Sequence, residues 1–124
     1  MQDRIFLFAI DLDPAAITVA VANARKNRVA HSIRFRQGDL AKLSSRAAPR
    51  YDVICANLIA TLLVEEKEHL LARLRPGGIL VLAGILNREF SQLQKAYEAA
   101  GLTLISSQTD KEWRSGSFAS LSVT

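Results

Sequence analysis

Three apolar runs constrain this chain most: IFLFAI at 5–10, YDVICA at 51–56 and ILVLA at 79–83. Continuous apolar runs of this length fit strands buried on both faces of a parallel sheet. Helical patterns lie between them. Asp13 precedes Pro14, and proline suits the first helical position because its missing N–H would be unpaired there anyway. Residues 14 to 28 are alanine-rich, with Ile17, Val21 and Ala24 at helical spacing; Val19 and Val21 weaken the propensity only slightly. Residues 31–37 alternate, Ile33 and Phe35 against Ser32, Arg34 and Arg36, which predicts a strand with a more exposed face.

After a loop or helical turn at 41–50, the pattern predicts one helix over 58–75, with Pro76-Gly77-Gly78 as a sharp stop. A helix over 87–100 carries Phe90, Leu93 and Tyr97 on one stripe and Gly101 as its C-cap. Strands at 102–110 and 118–124 are joined by a polar connection, which predicts an antiparallel hairpin at one edge. The alternation argues a doubly wound α/β domain spanning residues 1–124, with no repeat or linker.

Composition narrows the function classes. Apolar residues make up 49% and charged residues 23% of 124, an ordinary globular balance. The formal charge is +4, but the basic residues are scattered, so no direct nucleic-acid surface is predicted. One cysteine and two histidines exclude a disulfide framework and a metal set. The chain has no 18-residue apolar segment, and acidic residues follow its first apolar run at once. No membrane span or signal peptide is expected, and the chain reads as cytoplasmic.

Ligands of open parallel sheets bind outside the carboxyl ends of the strands. Those ends carry Asp11 and Asp13, Gly38 and Asp39, Asn57, and Gly84. A carboxylate closing a strand can accept both hydroxyls of a ribose diol; it can also cap a helix. Asp13, next to Pro14, suits the cap and leaves Asp11 for a ligand. Asp39 would accept from an exocyclic amine such as adenine's, or serve as a turn aspartate. Asn57 would place a substrate amine or cap the following helix. His31 and His69 read as surface residues. Trp113, in a polar connection, suits ligand or partner contact, or a small core under the hairpin.

These segments, in this order, resemble the catalytic domain of class I S-adenosylmethionine-dependent methyltransferases. Within that class they are most similar to the bacterial enzymes that methylate large-subunit ribosomal protein eleven. AIDLDPAAI resembles the strand that carries the ribose-binding acid, RQGDL the adenine segment, and YDVICANLIA the fourth motif, where an asparagine follows the strand. LRPGGILVLAGIL and YEAAGLTLISSQTDKEWRSGSFAS resemble the later strands and terminal hairpin. The resemblance implies a Rossmann-like sheet, mostly parallel with a C-terminal antiparallel hairpin. It implies S-adenosylmethionine as cofactor, with Asp11 on the ribose and Gly38, Asp39 and Leu40 along the adenine. Asn57 would border both the cofactor and the methyl-transfer centre. Leu58, Gly84, Ile85 and Trp113 would lie on the substrate side, and the substrate would be a ribosomal protein amine. No general base is implied, because methyl transfer needs alignment and a neutral amine more than acid–base chemistry.

The family's first motif, a strand and glycine-rich loop, should precede the Asp11 strand. The ten residues before Asp11 contain no glycine. The expectation is therefore a truncated catalytic domain lacking the first, central strand, with weak or no activity alone. An apolar slot would open between the Asp11 strand and YDVICA. The chain would close it, stay partly open, or fill it by pairing with a second copy in a homodimer. The alternative is a non-catalytic remnant acting as a structural or interaction module; a third reading is a different nucleotide-binding module.

Overall fold

The computed structural model describes residues 6–38 and 50–120. The apolar runs become neighbouring strands of one sheet. Its strands are β1 (Leu7–Asp11), β2 (Ile33–Gln37), β3 (Tyr51–Asn57), β4 (Leu74–Leu86), β5 (Leu102–Asp110) and β6 (Trp113–Ser120). They lie in the order β2-β1-β3-β4-β6-β5. β2, β1, β3 and β4 run parallel; β6 is antiparallel to β4 and to β5. This is the Rossmann-like arrangement with a C-terminal antiparallel hairpin that the sequence predicts.

The expected slot is closed. β1 and β3 pair directly, from Leu7↔Val53 to Asp11↔Asn57. Each strand supplies the donors and acceptors the other lacks, so the backbone groups that would have faced a gap are satisfied. A homodimer formed through that slot has no unpaired edge to use there.

The helices are α1 (Pro14–Lys26), α2 (Ala60–Glu65), α3 (Lys67–Leu71) and α4 (Asn87–Ala99). α1 starts as expected: the Asp13 carboxylate accepts the Ala15 N–H at 2.9 Å, and Pro14 follows. α1 covers β1 and β2 from one face, with Ala16, Ile17 and Ala20 near Ala9 and Cys55. The opposite face carries the core, where Phe8, Ile10, Ile54, Leu80, Leu82 and Phe118 meet Leu63, Leu70, Phe90, Leu93 and Tyr97. Full burial of each large apolar side chain contributes about 1.5–3 kcal/mol. Tyr97 also ties α4 to α2, its hydroxyl donating to the Leu63 carbonyl at 2.7 Å.

Three expectations change in detail. The single helix over 58–75 is two short helices broken at Glu66, and β4 already begins at Leu74. Pro76-Gly77-Gly78 does not end an element; it forms a bulge within β4, whose register shifts from Tyr51↔Leu74 to Val53↔Ile79. A Cβ on Gly78 would press on the Arg75 and Asp52 carbonyls at 2.8 and 2.9 Å, so only glycine lets the two strands approach. The last strand starts at Trp113 rather than 118, because the hairpin turns in two residues, with Lys111 at φ 57.

Candidate functional site

From β1 the chain crosses to β2 on one side of the sheet, then resumes in β3 on β1's other side. The strand order therefore reverses between β1 and β3. Open α/β sheets bind ligands at the carboxyl ends of the strands at such a reversal. Asp11 and Asn57 are the last residues of these two strands and are register partners.

Their side chains touch. Asn57 Nδ2 donates to Asp11 Oδ2 at 2.9 Å, and the Asp13 N–H donates to Asp11 Oδ1 at 2.9 Å. A carboxylate has about four lone-pair sites. Each Asp11 oxygen thus keeps one acceptor position, enough for the two hydroxyls of a vicinal diol. Asn57 is exposed, and with its amide nitrogen on Asp11 its Oδ1 is left as an acceptor.

Gly38 closes the neighbouring strand end, its N–H donating to the Asp11 carbonyl at 3.1 Å. Its φ of 142° favours glycine, and open space surrounds the place a Cβ would take. Gln37, which sequence reasoning passed over, donates from Nε2 to the Leu12 carbonyl at 2.9 Å and ties the β2 end to the turn after β1. Its signals were its place at the end of the Ile33–Phe35 alternation and its position within RQGDL. Asp39 and Leu40 lie outside the described residues.

Gly84 sits at a bulge where the β4–β6 register shifts between Leu82 and Ile85. Its φ is +80°, and a Cβ there would collide with Asn57 Oδ1. Gly84 therefore belongs beside Asn57. Leu58 and Ile85 follow in sequence, but at 3% and 0% exposure their side chains are in the core. Trp113 is exposed at the same end of the sheet, paired with Leu86, three residues beyond the Ala83 that pairs with Asn57.

An apolar cavity of about 140 Å³ lies beside Asp11 and Asn57, lined by Ala9, Ile17, Ala20, Cys55 and Val81 among others. Burial pushes the Cys55 thiol above its usual pKa, so it stays neutral there. Small-molecule sites usually enclose about 300–1,000 Å³. As lined by the described residues, the cavity lies below that range.

The sequence profile of the ribosomal protein L11 methyltransferase (PrmA) family matches residues 4–120. The chain belongs to that family. It is 33% identical over 105 residues to the ribosomal protein L11 methyltransferase of Pelotomaculum thermopropionicum, covering 85% of this chain and 33% of that protein. A Brucella suis relative of the same name is 37% identical over 98 residues, covering 78% of this chain and 34% of its own. The chain thus spans about a third of the length of these curated relatives. Among solved structures, the ribosomal protein L11 methylase of Lactobacillus delbrueckii superposes with a TM-score of 0.71 at 16% identity, covering 98% of this chain and 72% of that one. A putative methyltransferase from Thermoplasma acidophilum gives 0.68 at 8% identity, covering 98% and 70%. At such identities these structures support the fold alone. Fold and family together give an S-adenosylmethionine-dependent methyltransferase scaffold related to ribosomal protein methylation. No helix among the described residues is long and apolar enough to cross a membrane.

Proposed function

We propose that this chain carries the ribose-binding and amine-positioning part of an S-adenosylmethionine-dependent methyltransferase acting on a ribosomal protein in the cytoplasm. The observation that supports this most is the convergence of Asp11 and Asn57 at the reversal between β1 and β3. When bound, the cofactor supplies a methyl group activated by its sulfonium. The chain's own residues hold and orient. The free acceptor positions of Asp11 take the ribose diol, and the open face of Gly38 leaves room for the adenine. Asn57 Oδ1 accepts a hydrogen bond from a neutral substrate amine and aims its lone pair. Asp11 fixes that geometry by holding the Asn57 amide nitrogen. Neither role requires a group to gain or lose a proton. Gly84 keeps the space beside Asn57 clear, and Trp113 offers an exposed aromatic surface to the substrate at the same end of the sheet.

The second reading is a non-catalytic interaction module. A labelled-methyl assay with unmethylated large-subunit ribosomal proteins separates the two. The enzymatic proposal expects slow incorporation that falls about tenfold or more in Asp11→Ala and Asn57→Ala. Absence of incorporation, or label insensitive to both substitutions, contradicts it.

A further inference from the structure

Ile59 is the most exposed large apolar side chain among the described residues, at 61%. It stands two residues after Asn57, so their Cα atoms are no more than about 7 Å apart. The backbone is fixed on both sides of it. The Leu58 N–H donates to the Ala83 carbonyl at 3.3 Å, and the Ile59 carbonyl accepts the Leu63 N–H at 3.1 Å. Asn57 is exposed as well, whereas Leu58 between them is in the core.

The fold gives no reason for isoleucine at this position. Ile59 is the N-cap of α2, with φ −66° and ψ 150°, and its side chain makes no bond to the helix. Serine, aspartate or asparagine there would accept one of the first N–H groups of the helix; isoleucine is among the poorest caps. Leu86 precedes α4 in the same way, but it is half-buried. Ile59 does neither job. It leaves α2 without a side-chain cap and keeps most of its surface outside the core. What it does provide is a fixed apolar surface beside the Asn57 amide.

We propose that Ile59 is a specificity-determining residue that packs along the aliphatic stem of a lysine-type side chain whose amine reaches the strand end at Asn57. The choice of an amine as ligand rests on the role proposed for Asn57. A lysine-type side chain carries its nitrogen on a run of methylenes, and each methylene taken out of water favours binding. Ile59 covers that stem while Asn57 Oδ1 holds the nitrogen. The contact also strips water from the amine, and desolvation favours its uncharged, nucleophilic form. An amine on a short stem reaches Asn57 without touching Ile59. Ile59 therefore selects by the stem, and Asn57 by the nitrogen.

The test titrates the isotope-labelled chain with two acetylated, amidated peptides: Gly-Lys-Gly, and its counterpart with diaminopropionate in place of lysine, which carries the same amine on a shorter stem. Backbone amide NMR should show saturable shifts at Asn57, Ile59 and Ala60. The lysine peptide should bind about threefold or more tightly than the shorter one. In Ile59→Ser that preference should disappear, while unfolding moves to higher urea because serine supplies the cap. In Asn57→Ala both peptides should bind more weakly and the preference should remain. Ile59→Ser that keeps the preference, or that unfolds at lower urea than wild type, would overturn the proposal. So would the absence of saturable shifts at Ile59, whatever the labelled-methyl assay shows. A preference lost in Ile59→Ser, with affinities untouched by Asn57→Ala, would support the stem contact and remove the role of Asn57 instead.

Discussion

Asn57 Nδ2 donates to Asp11 Oδ2 at 2.9 Å, joining residues 46 positions apart at the ends of two directly paired strands. The contact makes one unit of two residues that sequence reasoning treats separately. It sets which way the Asn57 amide faces, and it occupies half of the acceptor capacity of one Asp11 oxygen.

The two residues should therefore be coupled in stability. Asp11→Ala removes the acceptor for Asn57 and for the Asp13 N–H, and should cost about 1–2 kcal/mol; Asn57→Ala should cost about 1 kcal/mol or less. In a double-mutant cycle by urea denaturation, the coupling should be about 0.5–1.5 kcal/mol. Strict additivity would mean that the hydrogen bond contributes nothing.

Gly84→Ala combines two penalties, a side chain at φ +80° and a collision with Asn57 Oδ1. It should destabilise by about 1–3 kcal/mol and displace the Asn57 side chain. Gly101→Ala is the control: its φ is +98°, but nothing lies within 4 Å of the added carbon. It should carry the backbone penalty alone. Equal losses in the two variants would show that Asn57 does not occupy the space beside Gly84.

Tyr97 gives the fold a signature at high pH. Burial first, then the Glu68 charge, pushes its phenol well above the usual 10.0. Below pH 10 the phenol is neutral in both states. Above it, the unfolded chain releases a proton that the folded chain retains, so stability falls as pH rises. Cys55, raised by burial, adds a similar slope from its own usual value of 9.0. The informative quantity is the difference between wild type and Tyr97→Phe. The variant should lose about 1 kcal/mol at neutral pH with the Leu63 hydrogen bond, and its stability should fall less steeply above pH 10. Parallel stability curves would remove Tyr97 as a source of the slope.

Phe118 anchors the hairpin to the rest of the core. It is fully buried, 6.4 Å from the Phe90 ring centre and 5.8 Å from that of Tyr97. Phe118→Ala should cost about 3–5 kcal/mol, measured by thermal or urea unfolding. A loss below about 1 kcal/mol would mean that β6 is not packed as described.

Local chemistry made much of this fold legible in the sequence. Asp13-Pro14 announces its helix through a cap and a missing N–H, and the apolar runs announce buried strands by composition. What depends on distant partners was not legible. Nothing in IFLFAI or YDVICA says that the two strands pair directly. Pro76-Gly77-Gly78 reads as a stop locally, yet its glycines let β4 bulge past Asp52. The leucine-rich pattern after Asn57 continues through Glu66, so the helix break there has no local signal. At the candidate site, residue types at strand ends pointed to Asp11, Asn57 and Gly84, whereas Leu58 and Ile85 came from the family resemblance, and their side chains lie in the core.

The most direct test of the Asp11 site is a titration of the isotope-labelled chain with S-adenosylhomocysteine, read at each backbone amide. Binding at the β1–β3 strand ends predicts weak, saturable shifts at Asp11, Leu12, Gly38 and Asn57 that disappear in Asp11→Ala. Shifts confined to the opposite end of the sheet, at Leu7 and Tyr51, or shifts at the strand ends that persist unchanged in Asp11→Ala, would contradict it.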